Sequence, residues 1–372
     1  MNKVCVVTLF KHNYGAFLQA YALQRFLESI GYEAKVLDYD YYNDRTILGI
    51  YIGRIKTPIP FAKMIINRML RSKVIRKRDA VLEECANKKI KQTEHYHSYR
   101  SLMKNPPKAD IFIVGSDQVW NPGLSEQGFM SRLLEFVPNG KHVLSSYAAS
   151  MGVKSVSEDA KNAFRNNLRR FDCISVREAD SISLLSPLVN IDIDVHRDPS
   201  LLLDAAQWSE FCETIPAKKP YVFIYLAQKS PELVSFAEEI AKKNDWDIVK
   251  CPGNVSYTVS NNIIGERFIT PMEFVGGIRD AAYVVTNSFH CLVFTIHFKK
   301  KAYVILPPKG ASRLGELVSN MKLFRLTERS IIKDEEIDQI YENADAFMAK
   351  ERQHAKEYLQ HLNDILLLKL DD

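Results

Sequence analysis

The 372-residue sequence lacks any continuous apolar run of about 18 residues, so we expect no transmembrane helix. The apolar segment near the N-terminus, Val4–Leu9, is too short for the apolar part of a secretion signal followed by a cleavage site. Its β-branched residues are instead typical of a buried strand. We therefore expect a soluble protein on the cytoplasmic side of the membrane.

Paired cysteines and metal-binding patterns are also missing. None of the six cysteines forms a Cys-x-x-Cys pair, and no histidine cluster completes a zinc pattern. Most of the cysteines lie in apolar runs, where a free thiol behaves as a small hydrophobic group. We expect a reducing compartment, no resident metal ion, and a packing role rather than a reactive thiol for Cys291.

Nucleotide-binding fingerprints are absent as well. The chain has neither a P-loop nor a Gly-x-Gly-x-x-Gly motif, which disfavours ATP and NAD. Its 50 basic and 45 acidic side chains leave a formal charge of +5, too small to suggest a nucleic-acid partner. We expect no cofactor and no nucleic acid.

What is present is a repeated strand–helix pattern. Val4–Leu9 predicts a strand, the apolar stripe of Gly15–Ile30 predicts a helix ended by Gly31, and Ala34–Tyr39 predicts the next strand. A second such series begins at Tyr221–Leu226. The pattern predicts an α/β protein with two Rossmann-like domains facing each other across a cleft. We expect domains at 1–190 and 191–335, with C-terminal helices at 336–372 that pack on the first domain.

A basic segment interrupts the pattern between residues 43 and 108, where we expect a helical excursion. Residues 54–78 carry nine basic side chains and no acidic one. One interpretation is a solvated basic helix. The other is a peripheral contact with an anionic membrane at its inner face, or with an acidic glycan.

Polar residues follow several predicted strands, where an α/β fold places its ligands. His290 would start a helix and act as a general acid or phosphate ligand, or would only cap that helix. Asp117 is either a base or a turn residue, and Arg177 either binds an anion or pairs with a neighbouring acid. Gly15 either admits a ligand close to the backbone or starts a helix, and Gln19 would face either the same crevice or the first loop.

Several of these stretches, in this order, resemble the polysaccharide pyruvyl transferase family. They are Asn13–Ala16 with Gln19–Leu23, Val114–Asn121, Val176–Glu178, Asp198–Leu202 and Ser288–His290, followed by Arg313 and Arg325. The resemblance spans about residues 3–330. It implies two Rossmann-type domains in the GT-B arrangement of glycosyltransferases.

The resemblance implies transfer of a pyruvyl group from phosphoenolpyruvate to two hydroxyls of a sugar, forming a ketal. The acceptor would belong to a surface polysaccharide or its lipid-linked precursor. On this resemblance we expect His290 and Asp117 to act in catalysis, and Arg177, Ser288 and Arg313 to bind the donor. The residues implied for the acceptor or the cleft are Asn13, Tyr14, Gly15, Gln19, Ser116 and Gln118.

Two positions depart from the family pattern. Ser288 stands where well-studied members carry arginine, and Cys291 stands where many relatives carry glycine. The loss of an arginine removes an anion ligand, so two other functions remain open. One is a glycosyltransferase that uses a nucleotide sugar, and the other is a glycan-binding protein without catalytic activity.

Overall fold

The computed structural model describes residues 1–41, 77–123, 126–153, 155–253, 255–265, 267–306 and 311–371. The chain divides into two compact units. Unit 1 comprises Met1–His12, Ala16–Pro199 and His354–Asp372, and unit 2 comprises Asn13–Gly15 and Ser200–Gln353. The domain boundaries expected at 190/191 and 335/336 stay predictions.

Unit 1 contains a five-stranded parallel sheet in the order β3-β2-β1-β4-β5. The strands are β1 Lys3–Val7, β2 Glu33–Tyr39, β3 Gln92–Tyr96, β4 Ile111–Val114 and β5 Val143–Ser146. A short parallel pair, β6 Ile174–Val176 with β7 Ile193–Val195, adjoins β5 through the bridges Ser145–Cys173 and Ala149–Val176. The strand order 3-2-1-4-5 is that of a Rossmann sheet, with its topological switch point between β1 and β4.

The helices of unit 1 follow its strands along the chain. They are α1 Tyr14–Ser29, whose first two residues group with unit 2, α2 (77–89), α3 Tyr99–Lys104, α4 Glu126–Ser131, α5 Glu158–Leu168 and α6 Asp180–Leu185. Strands β1 and β4 are almost wholly apolar and buried, as expected for a parallel sheet covered on both faces.

Unit 2 contains a four-stranded parallel sheet in the order β11-β10-β8-β9. Its strands are β8 Tyr221–Tyr225, β9 Asp247–Lys250, β10 Tyr283–Thr286 and β11 Ala302–Val304. Its helices are α7 Ala205–Phe211, α8 Pro231–Asn244, α9 Pro271–Asp280, α10 Phe289–His297, α11 Ala311–Asn320 and α12 Ile337–Ile340, and α13 Ala344–Asp371 continues into unit 1. The direction of strand addition reverses between β8 and β10, which makes that gap the switch point of this sheet.

The two parallel sheets confirm the predicted α/β class with two Rossmann-like units. Local signals in the sequence are confirmed too. Ser230 caps α8, with Pro231 at the first helical position. Thr270 and Glu273 form the capping box of α9, since Thr270 Oγ1 accepts from the Glu273 N–H at 3.0 Å.

The helical excursion expected over 43–108 contains a strand in its described part, because Gln92–Tyr96 is strand β3 of the main sheet. This strand lies at the sheet edge and is mostly polar, so it lacks the apolar alternation that predicts a strand. Most of the basic segment 54–78 lies outside the described residues. Among the helices that are described, none is long and apolar enough to cross a membrane.

A buried histidine lies in the core of unit 1. His196 follows β7 directly and is 0% exposed, with Nδ1 2.8 Å from Ser175 Oγ and its ring stacked on His354 of α13. Burial, with the neighbouring His354, lowers the pKa of His196 from 6.5 to about 3. Its neutral form is therefore the one that the fold accommodates.

We predict that protonation of this histidine contributes to acid unfolding. Below about pH 6.5 the unfolded chain binds a proton at His196 that the folded chain does not, so stability falls as the pH falls towards the folded pKa. In His196→Gln, the free energy of unfolding should depend on pH less steeply, by about 1.4 kcal/mol per pH unit between about pH 6 and about pH 4. Urea denaturation across that range measures the slope.

The matched control is His361→Gln, which changes an exposed histidine on α13, the helix that carries His354. Its slope should equal that of the wild type. An unchanged slope in His196→Gln would contradict the prediction.

Candidate functional site

Strand β10 passes into helix α10 within two residues. Ser288 is the N-cap of α10, its backbone N–H donates to Thr286 Oγ1 at 3.0 Å, and its carbonyl accepts from the Leu292 N–H at 3.0 Å. His290 therefore lies in the first turn of a helix that starts at the carboxyl end of a central strand. Backbone N–H groups in such a turn favour negative charge.

Asn287 connects the exits of the two central strands of unit 2. Its Oδ1 accepts from the N–H groups of Ala227 and Gln228 at 2.8 and 3.3 Å, and its Nδ2 donates to the Gln228 carbonyl at 2.8 Å. Because Asn287 follows β10 while Ala227 and Gln228 follow β8, this side chain fixes the two exits relative to each other.

A cavity of about 260 Å³ lies at these exits, at the switch point of the sheet. Its lining residues are Asn13, Gly15, Tyr225, Leu226, Ala227, Gln228, Phe274, Asn287, Ser288, Phe289, His290, Arg313 and Leu314. All of them belong to unit 2. Aromatic and aliphatic side chains supply the apolar part of the wall, and a few polar groups converge on the space, as is usual for a small-molecule site.

Gly15 contacts the imidazole of His290. A Cβ added at Gly15 would lie 2.1 Å from His290 Nδ1 and 2.3 Å from Cε1. Such distances are far inside van der Waals contact, so the imidazole keeps this position only while residue 15 has no side chain. Gly15 and His290, far apart in the sequence, therefore line the same cavity.

The charge of the cavity suits an anion. Arg313 contributes a guanidinium, which matches carboxylate and phosphate groups with two parallel hydrogen bonds. The first turn of α10 adds the partial positive charge of its N-terminus, and Ser288 adds a hydroxyl. None of the residues that line this cavity is acidic.

Cys291 is a packing residue, as expected. It is 0% exposed, and burial raises the pKa of its thiol to about 12. A thiol with so high a pKa supplies very little thiolate at neutral pH, so it is a poor nucleophile.

A second polar group of the predicted residues lies in unit 1, at the exit of β4. Asp117 adopts a left-handed backbone with φ 69°, and its carbonyl accepts from the N–H groups of Val119 and Ser150 at 2.8 and 3.0 Å. Ser116 is fully buried, and its carbonyl accepts from Thr8 Oγ1 at 2.8 Å. Because Thr8 follows β1, this bond joins the two strand exits at the switch point of the Rossmann sheet.

Arg177 lies beside this group in a buried ionic network. Its Nη1 is 2.8 Å from Asp198 Oδ2 and 3.5 Å from Ser116 Oγ, and its Nε is 3.1 Å from Glu178 Oε1. Burial alone would lower the pKa of this guanidinium, but the carboxylates of Glu178, Asp198 and Asp117 together raise it. At 3% exposure, the geometry favours the ion-pair interpretation of Arg177 over a role as an anion ligand.

Three of the other predicted residues make structural contacts. Tyr14 is buried, donates to the Ile269 carbonyl at 3.0 Å and stacks on Phe274. Gln19 is buried as well, and its amide nitrogen donates to Thr8 Oγ1 and to the carbonyls of Leu9 and Ala16. Gln118 packs closely against Gly152.

The structure thus separates the predicted residues by unit. The cavity in unit 2 gathers Asn13, Gly15, Ser288, His290 and Arg313. Unit 1 holds Gln19, Ser116, Asp117, Gln118 and Arg177. The cavity also includes Tyr225, Gln228 and Phe274, which the residue pattern does not single out. The signal that could have found Gln228 is its position just after β8, opposite the exit of β10.

Comparisons with solved structures give distant resemblances. An α-glucosyltransferase in complex with UDP and a 13-mer DNA is 9% identical, with 98% of this chain and 99% of that chain covered and a TM-score of 0.47. The UDP-GlcNAc 2-epimerase from Methanocaldococcus jannaschii is 11% identical, with 89% and 95% covered and a TM-score of 0.40. No curated protein matches the chain.

The family comparison is more specific. The model of the family described as polysaccharide pyruvyl transferase matches residues 13–307, which is most of the chain. The matched range starts at Asn13 and includes Gly15 and the β10–α10 junction with His290. The chain belongs to the polysaccharide pyruvyl transferase family.

Proposed function

We propose that this protein transfers a pyruvyl group from phosphoenolpyruvate to two hydroxyls of a sugar, forming a cyclic ketal and releasing phosphate. The observation that carries the proposal is the cavity in unit 2, in which His290, Arg313, Ser288 and the N-terminus of α10 surround a space of about 260 Å³. Family membership supplies the transferase class.

The proposed reaction has simple requirements. Carbon 3 of the enol gains a proton, and one sugar hydroxyl attacks carbon 2. Phosphate then leaves, and the second hydroxyl attacks the same carbon. Of the two hydroxyl protons, one balances the proton gained by carbon 3 and the other leaves with phosphate. An acid, a base and a site for two anionic groups are therefore needed.

The donor would bind in the cavity in unit 2. Phosphoenolpyruvate carries a phosphate and a carboxylate, and Arg313 with the first turn of α10 offers charge to both. Ser288 would donate a hydrogen bond where well-studied members of the family carry arginine. His290 would contact the phosphate or deliver the proton to carbon 3. The apolar wall, which includes Tyr225 and Phe274, would keep water from the enol.

The acceptor side is proposed to involve Asp117, which would take a proton from the attacking hydroxyl. Its left-handed backbone, which aspartate tolerates better than most residues, sets the position of its carboxylate. Arg177 would position the strand exits around Asp117 through its pairs with Asp198 and Glu178, with donor contact as the alternative role. The acceptor would be a sugar of a surface polysaccharide or of its lipid-linked precursor on the cytoplasmic side.

We predict that phosphoenolpyruvate binds and stabilises the protein. At about 100 times its dissociation constant it should add about 2.7 kcal/mol to the free energy of unfolding, and UDP should add nothing. Arg313→Gln should weaken binding about 10- to 100-fold, because it removes a charged hydrogen bond to an anion. Isothermal calorimetry measures the dissociation constant of phosphoenolpyruvate for the wild type and for Arg313→Gln.

The matched control is Arg329→Gln, which removes a guanidinium that pairs with Glu239 at the surface of the same unit. It should bind the donor as the wild type does. If UDP stabilised the protein and phosphoenolpyruvate did not, a nucleotide-sugar transferase would replace the proposal. If an oligosaccharide alone stabilised it, a glycan-binding protein would.

We further predict that Gly15→Ala impairs catalysis through His290. The added methyl group must displace the imidazole, so turnover should fall by about 100-fold or more, as when a general acid is lost. His290→Gln should lose a similar amount, and the double variant should lose no more than either single one. Mass spectrometry of the pyruvylated product measures turnover on candidate lipid-linked sugars.

The control for this series is Gly315→Ala on α11, where an added Cβ meets nothing within 4 Å. It should retain full turnover. If the losses from Gly15→Ala and His290→Gln were instead additive, Gly15 would act independently of the imidazole.

A further inference from the structure

Two adjacent strands of unit 1 place two carboxylates and two imidazoles together. Strands β2 and β3 run parallel, with Asp38 opposite His95. Side chains two residues apart in extended chain share a face, so Asp40 accompanies Asp38 and His97 accompanies His95. The sequence separates these pairs by more than fifty residues, and the pairing of the strands brings them together.

The side chains of Asp40, His95 and His97 lie close enough together for all three to reach one metal ion. His95 Nε2 lies 3.5 Å and His97 Nδ1 lies 3.8 Å from Asp40 Oδ2, and the ligand atoms of all three residues lie within 4.8 Å of one another. These distances are too long for good hydrogen bonds. Around a tetrahedral ion with bonds of about 2.0–2.2 Å, ligand atoms are about 3.3–3.6 Å apart, so small side-chain shifts would complete the site.

Asp38 orients the central histidine. Its Oδ2 lies 3.0 Å from His95 Nδ1, and its Oδ1 accepts from Lys11 Nζ at 2.6 Å. A proton on Nδ1, donated to Asp38, leaves the lone pair of Nε2 directed towards Asp40. Carboxylates that bind the outer nitrogen of a metal-bound histidine in this way fix its tautomer and orientation.

A cavity of about 170 Å³ adjoins the cluster and shares Asp38 and Asp40 with it. Asp79 and Glu83 also line it, and two of its four carboxylates are paired, Asp38 with Lys11 and Asp79 with Arg78. His12 also lines it, and burial together with Arg78, Lys11 and Arg132 lowers the pKa of His12 to about 4, so this imidazole is neutral.

We propose that Asp40, His95 and His97 bind a divalent transition-metal ion, with Zn²⁺ as the best match. Two imidazoles and one carboxylate are a common ligand set for Zn²⁺, and they leave one position for water or a substrate oxygen. Asp38 supports the site as the hydrogen-bond partner of His95. This site is independent of the reaction proposed for the cavity in unit 2.

The test uses the full chain, stripped of metal with a chelator and titrated with Zn²⁺ by calorimetry. One ion should bind per chain, and Mg²⁺ should not compete, because it disfavours imidazole ligands. His95→Gln and Asp40→Asn should each weaken Zn²⁺ binding by at least about 100-fold, and Asp38→Asn by about 10- to 100-fold. The control, His361→Gln, alters the exposed pair of His361 with Asp364 and should bind Zn²⁺ as the wild type does.

Co²⁺ provides a second readout, since its visible spectrum distinguishes nitrogen and oxygen ligands from thiolates. The wild-type spectrum should lack a thiolate charge-transfer band, and His95→Gln should lose the bands of the bound ion. Equal affinity of the wild type and both His95→Gln and Asp40→Asn would overturn the proposal. A thiolate spectrum would overturn it too, because the ion would then lie at a cysteine. Circular dichroism of each variant establishes that it is folded.

Discussion

Parallel pairing of the strands is the constraint on which the candidate sites depend. In a parallel sheet every strand ends at the same edge, so residues that follow different strands meet there although the sequence separates them. Asn287 and Gln228 meet in this way in unit 2, and Thr8 and Ser116 do so in unit 1. In both sheets the hydrogen bonds lie at the switch point, where neighbouring connections leave in opposite directions.

The positions of the residues that line the cavity in unit 2 are fixed by close backbone contacts rather than by a large polar network. Gly15 allows the imidazole of His290 to approach the backbone, and Asn287 holds the exit of β8 against that of β10. Both residues act before any ligand binds, so the cavity is organised in advance. By contrast, Arg177 in unit 1 is buried and pairs with the carboxylates of Glu178 and Asp198. These pairs suit a role in positioning the neighbouring strand exits.

Much of the fold follows from the sequence because its signals are local. The continuous apolar run at β1, the cap at Ser230 and the capping box of Thr270 with Glu273 each act within a few residues. Strand β3 carries no such local signal. An edge strand pairs with only one neighbouring strand, so it tolerates polar side chains on its open side. Because β3 carries no strand signal, the sequence gives no indication that His95 and His97 lie near an acidic residue. The register of β3 on β2 brings them to Asp40.

The sequence by itself determined the α/β class, the succession of two Rossmann-like units, and the stretches that carry the family pattern, including His290. These follow from periodicity and from residue types at strand ends, which are properties of short segments. Tertiary structure alone decided which of those residues line one cavity. Gly15 and Arg313 lie with His290 in the cavity of unit 2. Gln19 instead hydrogen-bonds to the first loop, and Arg177 pairs with acidic residues in a buried ionic network. The physical reason is that side-chain partners are set by strand register and by close packing between distant segments, and neither is encoded at a fixed spacing along the chain.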